Sequence, residues 1–277
     1  MYKLLTMLLC VSVFFLYAQE NTEEADLLDD TEPAGQTQEE PQGEELLDET
    51  GTTQQAETEY VASYDDASAV KAVLDANRLS WNANSISTFK NGRVVTLNLN
   101  NPDVGNEGIR TLPPAIGRLT ALEVLTVNDN DLTLLPKEIT NCTKLTRLEI
   151  QNNSLVSLPP GLSKLVNLRV LDLRNNSLDA LPVEIGNLKS IRKLQLWGNN
   201  FVRLPDAIGN LSTLQELYLK GNRLSNLPVS ITKLRIKYID VIDNQLCGLK
   251  GPVDAWLKKF DEKYSSLQKC VGEKRFK

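Results

Sequence analysis

The chain has 277 residues, 41% of them hydrophobic, with 30 Lys and Arg against 36 Asp and Glu and a net charge of −6. It contains no histidine, which removes the usual general base, the usual activator of a serine or cysteine nucleophile and the commonest metal ligand. With no phosphate-cradling glycine loop, Cys-x-x-Cys pair or His-Glu-x-x-His helix either, the sequence points away from an enzyme and names no cofactor.

Residues 1–18 read as a signal peptide. Lys3 supplies the charged start, Leu4 to Tyr17 the apolar run and Ala18 the cleavage point. The run is shorter than the ~20 residues a membrane span needs, so no stable span is expected after cleavage. Cys10 invites a lipoprotein reading, but Leu9 before it is not the small residue such a site requires. The expected location is exported: secreted, periplasmic or associated with the cell surface. Residues 19–64 hold fifteen Asp or Glu and no Lys or Arg. So few apolar groups cannot offset the entropy of ordering, and this stretch reads as an acidic disordered tether.

Residues 65–93 read as an N-terminal cap. Asp66 is placed to cap a short helix whose inward face is Val70, Val73 and Leu74, and Leu79 and Trp81 continue the apolar surface. Ile86–Phe89 and Val94–Leu99 flank Asn91-Gly92, the strongest short hairpin signal.

From 94 to 250 one phrase recurs in about seven copies. Read from Leu145 it runs Leu145-x-x-Leu148-x-Ile150-x-x-Asn153-x-Leu155-x-x-Leu158-Pro159-x-x-Leu162-x-x-Leu165, and it restarts at Leu168, 23 residues on. A fixed period of this length means a stacked repeat architecture. The alternation at the end of Leu-x-x-Leu-x-Leu is that of a half-buried strand, so Leu171 and Leu173 point inward and Asp172 outward. Asn130, Asn153, Asn176, Asn199, Asn222 and Asn244 fall where the chain turns off that strand, where an amide can satisfy backbone groups left inside. Pro113, Pro136, Pro159, Pro182, Pro205 and Pro228 sit on the return path, which suits a residue with fixed φ and no N–H. Ile139, Leu162, Ile185, Ile208 and Ile231 then close each coil. One copy cannot bury its own apolar face, so the copies must stack into a continuous solenoid with sealed ends. The first copy carries extra residues between Asn101 and Ile109; Asp103 and Glu107 within them read as a solvated loop, not a metal site.

Residues 251–277 read as a C-terminal cap helix and tail. Gly251-Pro252 starts a helix on which Val253, Trp256, Leu257, Phe260, Tyr264 and Leu267 share one face. Cys247 and Cys270 bracket it, either as a disulfide, which export permits, or as two packed thiols. Cys142, standing in the Leu ladder, reads as a buried free thiol.

The repeat resembles the leucine-rich repeat family in its 23-residue Leu-Pro-x-x-Ile form, over about residues 94–250. The resemblance implies an α/β solenoid, a horseshoe or arc with a concave parallel β-sheet, and a habit of binding proteins on that face. The outward strand positions are then free to vary. In the later copies they place Trp197, Tyr218, Tyr238 and Ile242 on a diagonal rimmed by Arg174, Lys193 and Lys220. Exposed aromatics beside Arg and Lys are the usual material of binding hot spots. The expected partner is another protein, or less readily a glycan stacked on Trp197 and Tyr218, and not nucleic acid. The alternative is a structural spacer of the cell envelope with no single ligand.

Overall fold

In a computed structural model of the chain, the described residues are 64–101 and 108–270. The signal segment, the acidic stretch up to residue 63, the insertion with Asp103 and Glu107, and residues 271–277 lie outside them. Helix α1 (Tyr64–Ala76) and the single-turn α2 (Ala83–Ile86) precede a hairpin of β1 (Ser87–Lys90) and β2 (Arg93–Asn98). Asn91 and Gly92 both take positive φ, 51° and 70°. That is the left-handed pair a tight hairpin turn needs between right-twisted strands.

Each later copy contributes one three-residue strand: β3 (Val124–Thr126), β4 (Arg147–Glu149), β5 (Val170–Asp172), β6 (Lys193–Gln195), β7 (Glu216–Tyr218) and β8 (Tyr238–Asp240). From β2 onward they pair in parallel and in chain order, so with β1 they make one eight-stranded sheet. The register is set by the repeat itself. Leu125, Leu148, Leu171, Leu194, Leu217 and Ile239 stand opposite one another from strand to strand. All are buried, and with the other inward Leu, Ile and Val side chains they form one continuous core.

The return path of each coil is a short 3-10 helix: 114–118, 137–141, 162–164, 183–187, 206–210 and 229–233. Pro113, Pro136, Pro182, Pro205 and Pro228 stand immediately before five of them with extended backbone. The coil with two successive prolines, Pro159 and Pro160, instead enters its helix from Gly161 at φ 80°. The helices stack so closely that a Cβ on Gly117 would lie 2.6 Å from the Glu138 carbonyl oxygen of the next coil. That neighbour is backbone and cannot swing aside. Gly117→Ala is therefore expected to lower stability by about 2 kcal/mol, within the range for overpacking, read from the urea midpoint at unchanged m. An unchanged midpoint would mean that the convex stack yields freely.

The asparagines form a ladder through the interior. Asn176 accepts from the Leu155 amide of the preceding coil (2.9 Å) and donates to the Ile150 carbonyl of that coil (2.8 Å) and to its own Leu173 carbonyl (3.1 Å). Asn153, Asn199, Asn222 and Asn244 repeat the pattern. These bonds answer the requirement that buried backbone groups be paired where a strand has just ended. The residue just before each of these asparagines, and before Asn130, is Asp129, Asn152, Asn175, Gly198, Gly221 or Asp243, all at φ between 50° and 70°. Asp, Asn and Gly are the types that tolerate that region.

Three expectations at the ends need correction. Asp66 does not cap α1. It lies inside the helix, fully buried, where its carboxylate accepts the Val94 amide (2.7 Å) and pairs with Arg93 (3.0 Å), tying the helix to β2. The predicted C-terminal helix is broken: α3 ends at Leu257 (Pro252–Leu257), and Tyr264–Leu267 forms a separate 3-10 turn. Leu267 does not share the buried face and is 41% exposed. What joins the two pieces is polar. The Tyr264 hydroxyl donates to Asp254 (2.7 Å), and this bond with that from Lys258 holds the Asp254 carboxyl below its ordinary range. Burial pushes the Tyr264 phenol upward.

Gln268 then takes the place an asparagine would occupy in one more coil. Its Oε1 accepts the Leu246 amide (3.4 Å) and its Nε2 donates to the Val241 carbonyl (3.2 Å). Two residues later Cys270 is joined to Cys247 by a disulfide, with Cα atoms 5.9 Å apart. Cys142 is a buried free thiol whose pKa burial pushes up to about 12.

Candidate functional site

The sheet register fixes which outward side chains are neighbours. One row runs Thr96, Val124, Arg147, Val170, Lys193, Glu216, Tyr238, and the next Asn98, Thr126, Glu149, Asp172, Gln195, Tyr218, Asp240. Just past the strands, backbone bonds from Asn175 to Trp197, Gly198 to Lys220 and Gly221 to Ile242 align a third row through the last coils. Trp197, Tyr218 and Tyr238 therefore step diagonally across β6, β7 and β8.

Two clusters form on this face. In the first, Arg174 lies 5.7 Å from the centroid of the Trp197 ring. The same guanidinium is held by Asp172: Nε sits 2.9 Å from both carboxylate oxygens and Nη2 2.7 Å from one of them. In the second, Lys193 Nζ lies 5.2 Å over the Tyr218 ring and 3.3 Å from Glu216. The Tyr218 hydroxyl donates to the same carboxylate (3.0 Å), and the Tyr218 and Tyr238 rings stack at 5.1 Å with a tilt of 41°. Trp197, Tyr218, Lys193, Arg174 and Ile242 are half-buried, Lys220 is exposed and Tyr238 is 46% exposed.

One detail departs from the sequence reading. Asp172 points away from the leucine core as expected, yet it is only 2% exposed, and Gln195 beside it is buried too. The Arg174 side chain folds back over the carboxylate and shuts out water. Burial raises the Asp172 pKa more than Arg174 lowers it. The carboxylates that pin the cations, Asp172 and Glu216, were not among the residues chosen from the sequence. Their signal was present, as an acid two residues before Arg174 and one in the strand position next to Lys193.

Beyond β8, a groove of about 320 Å³ opens between Lys237–Ile242 and the side chains of Leu257, Phe260, Asp261 and Tyr264. Tyr238 and Ile242 thus border both the aromatic face and this groove. Among the described residues no group of three or more His, Cys, Asp and Glu is arranged to hold a metal ion, and no helix is long and apolar enough to cross a membrane.

Comparison with known proteins matches residues 156–238 to a family model for a leucine-rich repeat region and residues 144–165 to one for a single leucine-rich repeat. A plant peptide hormone receptor, RGFR1, solved in complex with RGF2, is 29% identical; the match covers 65% of this chain and 28% of the receptor, at a TM-score of 0.52. A leucine-rich repeat protein of Leptospira interrogans is 27% identical over 70% of this chain and 61% of its own, at a TM-score of 0.47. The chain thus spans less than two-thirds of either protein. A search of curated proteins gives no match. The family matches fall on the same coils whose strands build the parallel sheet and whose asparagines lace it together, and the chain is a leucine-rich repeat protein.

Proposed function

We propose that the solenoid is an exported recognition module that binds another protein through the C-terminal half of the sheet's open face. The contact residues are Arg174, Lys193, Trp197, Tyr218, Lys220, Tyr238 and Ile242. The observation that carries this reading is the run of aromatic rings on three successive coils, with cations over two of them and Tyr238 46% exposed. Large aromatic side chains set beside Arg and Lys on a rigid sheet give much contact area at little cost in side-chain entropy. The plant peptide hormone receptor solved in complex with RGF2 lends support from the same fold. A protein is favoured over a glycan because one face of Trp197 and one of Tyr218 already carry a cation, leaving less ring surface for a sugar. Export rests on the signal-like start at Lys3 to Ala18.

The test is the double substitution Trp197→Ala/Tyr218→Ala in the full chain. Both side chains are only half-buried, so stability is expected to stay within about 1 kcal/mol of wild type. Partners cross-linked to the wild-type chain in its own cells and identified by mass spectrometry are expected to be lost from the variant. Retention of every partner by a folded variant would move the case to the alternative, a structural spacer of the cell envelope.

A further inference from the structure

The open face is electrically uneven, and the unevenness coincides with the aromatics. Consider the six residues that make up each strand and its immediate flanks. In the last four coils (169–174, 192–197, 215–220 and 237–242) these hold six basic side chains, Arg169, Arg174, Arg192, Lys193, Lys220 and Lys237, against three acidic ones. In the first three (95–100, 123–128 and 146–151) they hold only Arg147 against Glu123 and Glu149. Net charge therefore moves from −1 to +3 along one sheet, and Trp197, Tyr218 and Tyr238 all lie in the positive half. Two of its three acids are internally neutralised, Asp172 by Arg174 and Glu216 by Lys193. Strands lie ~4.8 Å apart, so the excess charge is gathered within a few Debye lengths of ~8 Å and acts on an incoming ligand as one field.

Resting on the binding role proposed above, we infer that the partner presents an acidic polypeptide segment in which carboxylates alternate with aromatic or large apolar anchors. The anchors pack on Tyr238, Tyr218 and Ile242, and the carboxylates meet Lys220 and Lys237, both exposed. A continuous polyanion such as a sulfated polysaccharide fits less well, because Asp240 interrupts the positive field between Lys220 and Lys237. A peptide with spaced carboxylates avoids it. Complementary charge of this kind raises association rate and selects against basic partners more than it adds raw affinity.

The experiment uses the full chain and two labelled short peptides, one alternating Glu with Phe and one alternating Lys with Phe, read by fluorescence anisotropy. The Glu/Phe peptide is expected to bind, weakening as salt is raised. Its affinity should fall about tenfold in Lys220→Glu/Lys237→Glu and at least as far in Trp197→Ala/Tyr218→Ala, while the Lys/Phe peptide binds the charge-reversed variant better than it binds wild type. Equal binding of both peptides to wild type, both lost in Trp197→Ala/Tyr218→Ala, overturns the charge preference and leaves the aromatic site standing. Glu/Phe binding that is indifferent to both double variants overturns the inference and the site together. Heparin binding more tightly than the Glu/Phe peptide, unaffected by Trp197→Ala/Tyr218→Ala, overturns the polypeptide class.

Discussion

Asn176→Ala is expected to destabilise the solenoid by about 3 kcal/mol, although it removes no part of the leucine core. The side chain bonds four backbone groups: the Leu155 amide and the Ile150 carbonyl in the coil before, and the Leu173 and Arg174 carbonyls in its own. Alanine orphans the Leu155 amide outright and strips one donor from the Leu173 carbonyl, which keeps Asn199 (2.9 Å), and from the Ile150 carbonyl, which keeps Asn153 (3.4 Å); an orphaned buried group costs roughly 1–3 kcal/mol. The weakened carbonyls and the space left by the side chain bring the loss to the top of that range. For a folded unit of some two hundred residues this is a fall in Tm of about 10 °C. Because a solenoid is held by neighbour-to-neighbour contacts, the damage should also divide it: coils before and after Asn176 unfold in separate steps and the urea m-value drops. Asn210→Ala, at an exposed position on the convex side, should change stability by less than about 0.5 kcal/mol. Equal effects from the two substitutions would show that the ladder contributes nothing beyond ordinary asparagine packing.

The ladder also marks how far the sequence could be read. Strand placement, parallel order and strand-to-strand register all follow from the spacing of leucines, because a shift of one residue would turn every Leu out of the core. Hence the leucine spacing alone puts Trp197, Tyr218 and Tyr238 on successive coils. The sequence pattern is blind where one residue type can serve two purposes. Asp66 reads as a helix cap because Asp often caps, yet it is a buried tie to Arg93 and Val94, the first a pairing across 27 residues that no local pattern records. Apolar spacing of three and four cannot tell one helix from two turns separated by a bend, which is why the break after Leu257 went unseen. Gln268 was invisible for a related reason: it does an asparagine's work from a longer side chain, 24 residues after Asn244, with no Leu-x-Leu strand before it. On the open face the pattern gave positions but not conformations, so the folding of Arg174 over Asp172 appears only in the structure.

The second large effect is expected at that C-terminal end. The bond between Cys247 and Cys270 closes a span of 23 residues, which in the chain-entropy account restrains the unfolded state by about 3 kcal/mol. The bond does not act alone. The Leu246 amide bound by Gln268 adjoins Cys247, and Gln268 itself lies two residues from Cys270, so disulfide and amide fasten the same closing turn. Cys247→Ser/Cys270→Ser should therefore lower stability by about 3 kcal/mol, and adding Gln268→Ala should cost less than it does in the disulfide-bonded chain, since the turn it secures is already loose. Loosening starts where the sheet has no further coil to stack on. Amide exchange should rise first in 236–270, and Trp256, buried in the chain segment that the disulfide closes and edge-on to Phe260 at 5.1 Å, should report it by fluorescence on reduction with thiol. Tyr238 and Ile242 border the same groove as Leu257, Phe260 and Tyr264, so opening the turn also removes one wall of the groove beside the aromatic face. If reduction leaves both the exchange pattern and Trp256 emission unchanged, the end of the solenoid is held by apolar packing alone, and the aromatic face should then keep the proposed partner in a reducing medium.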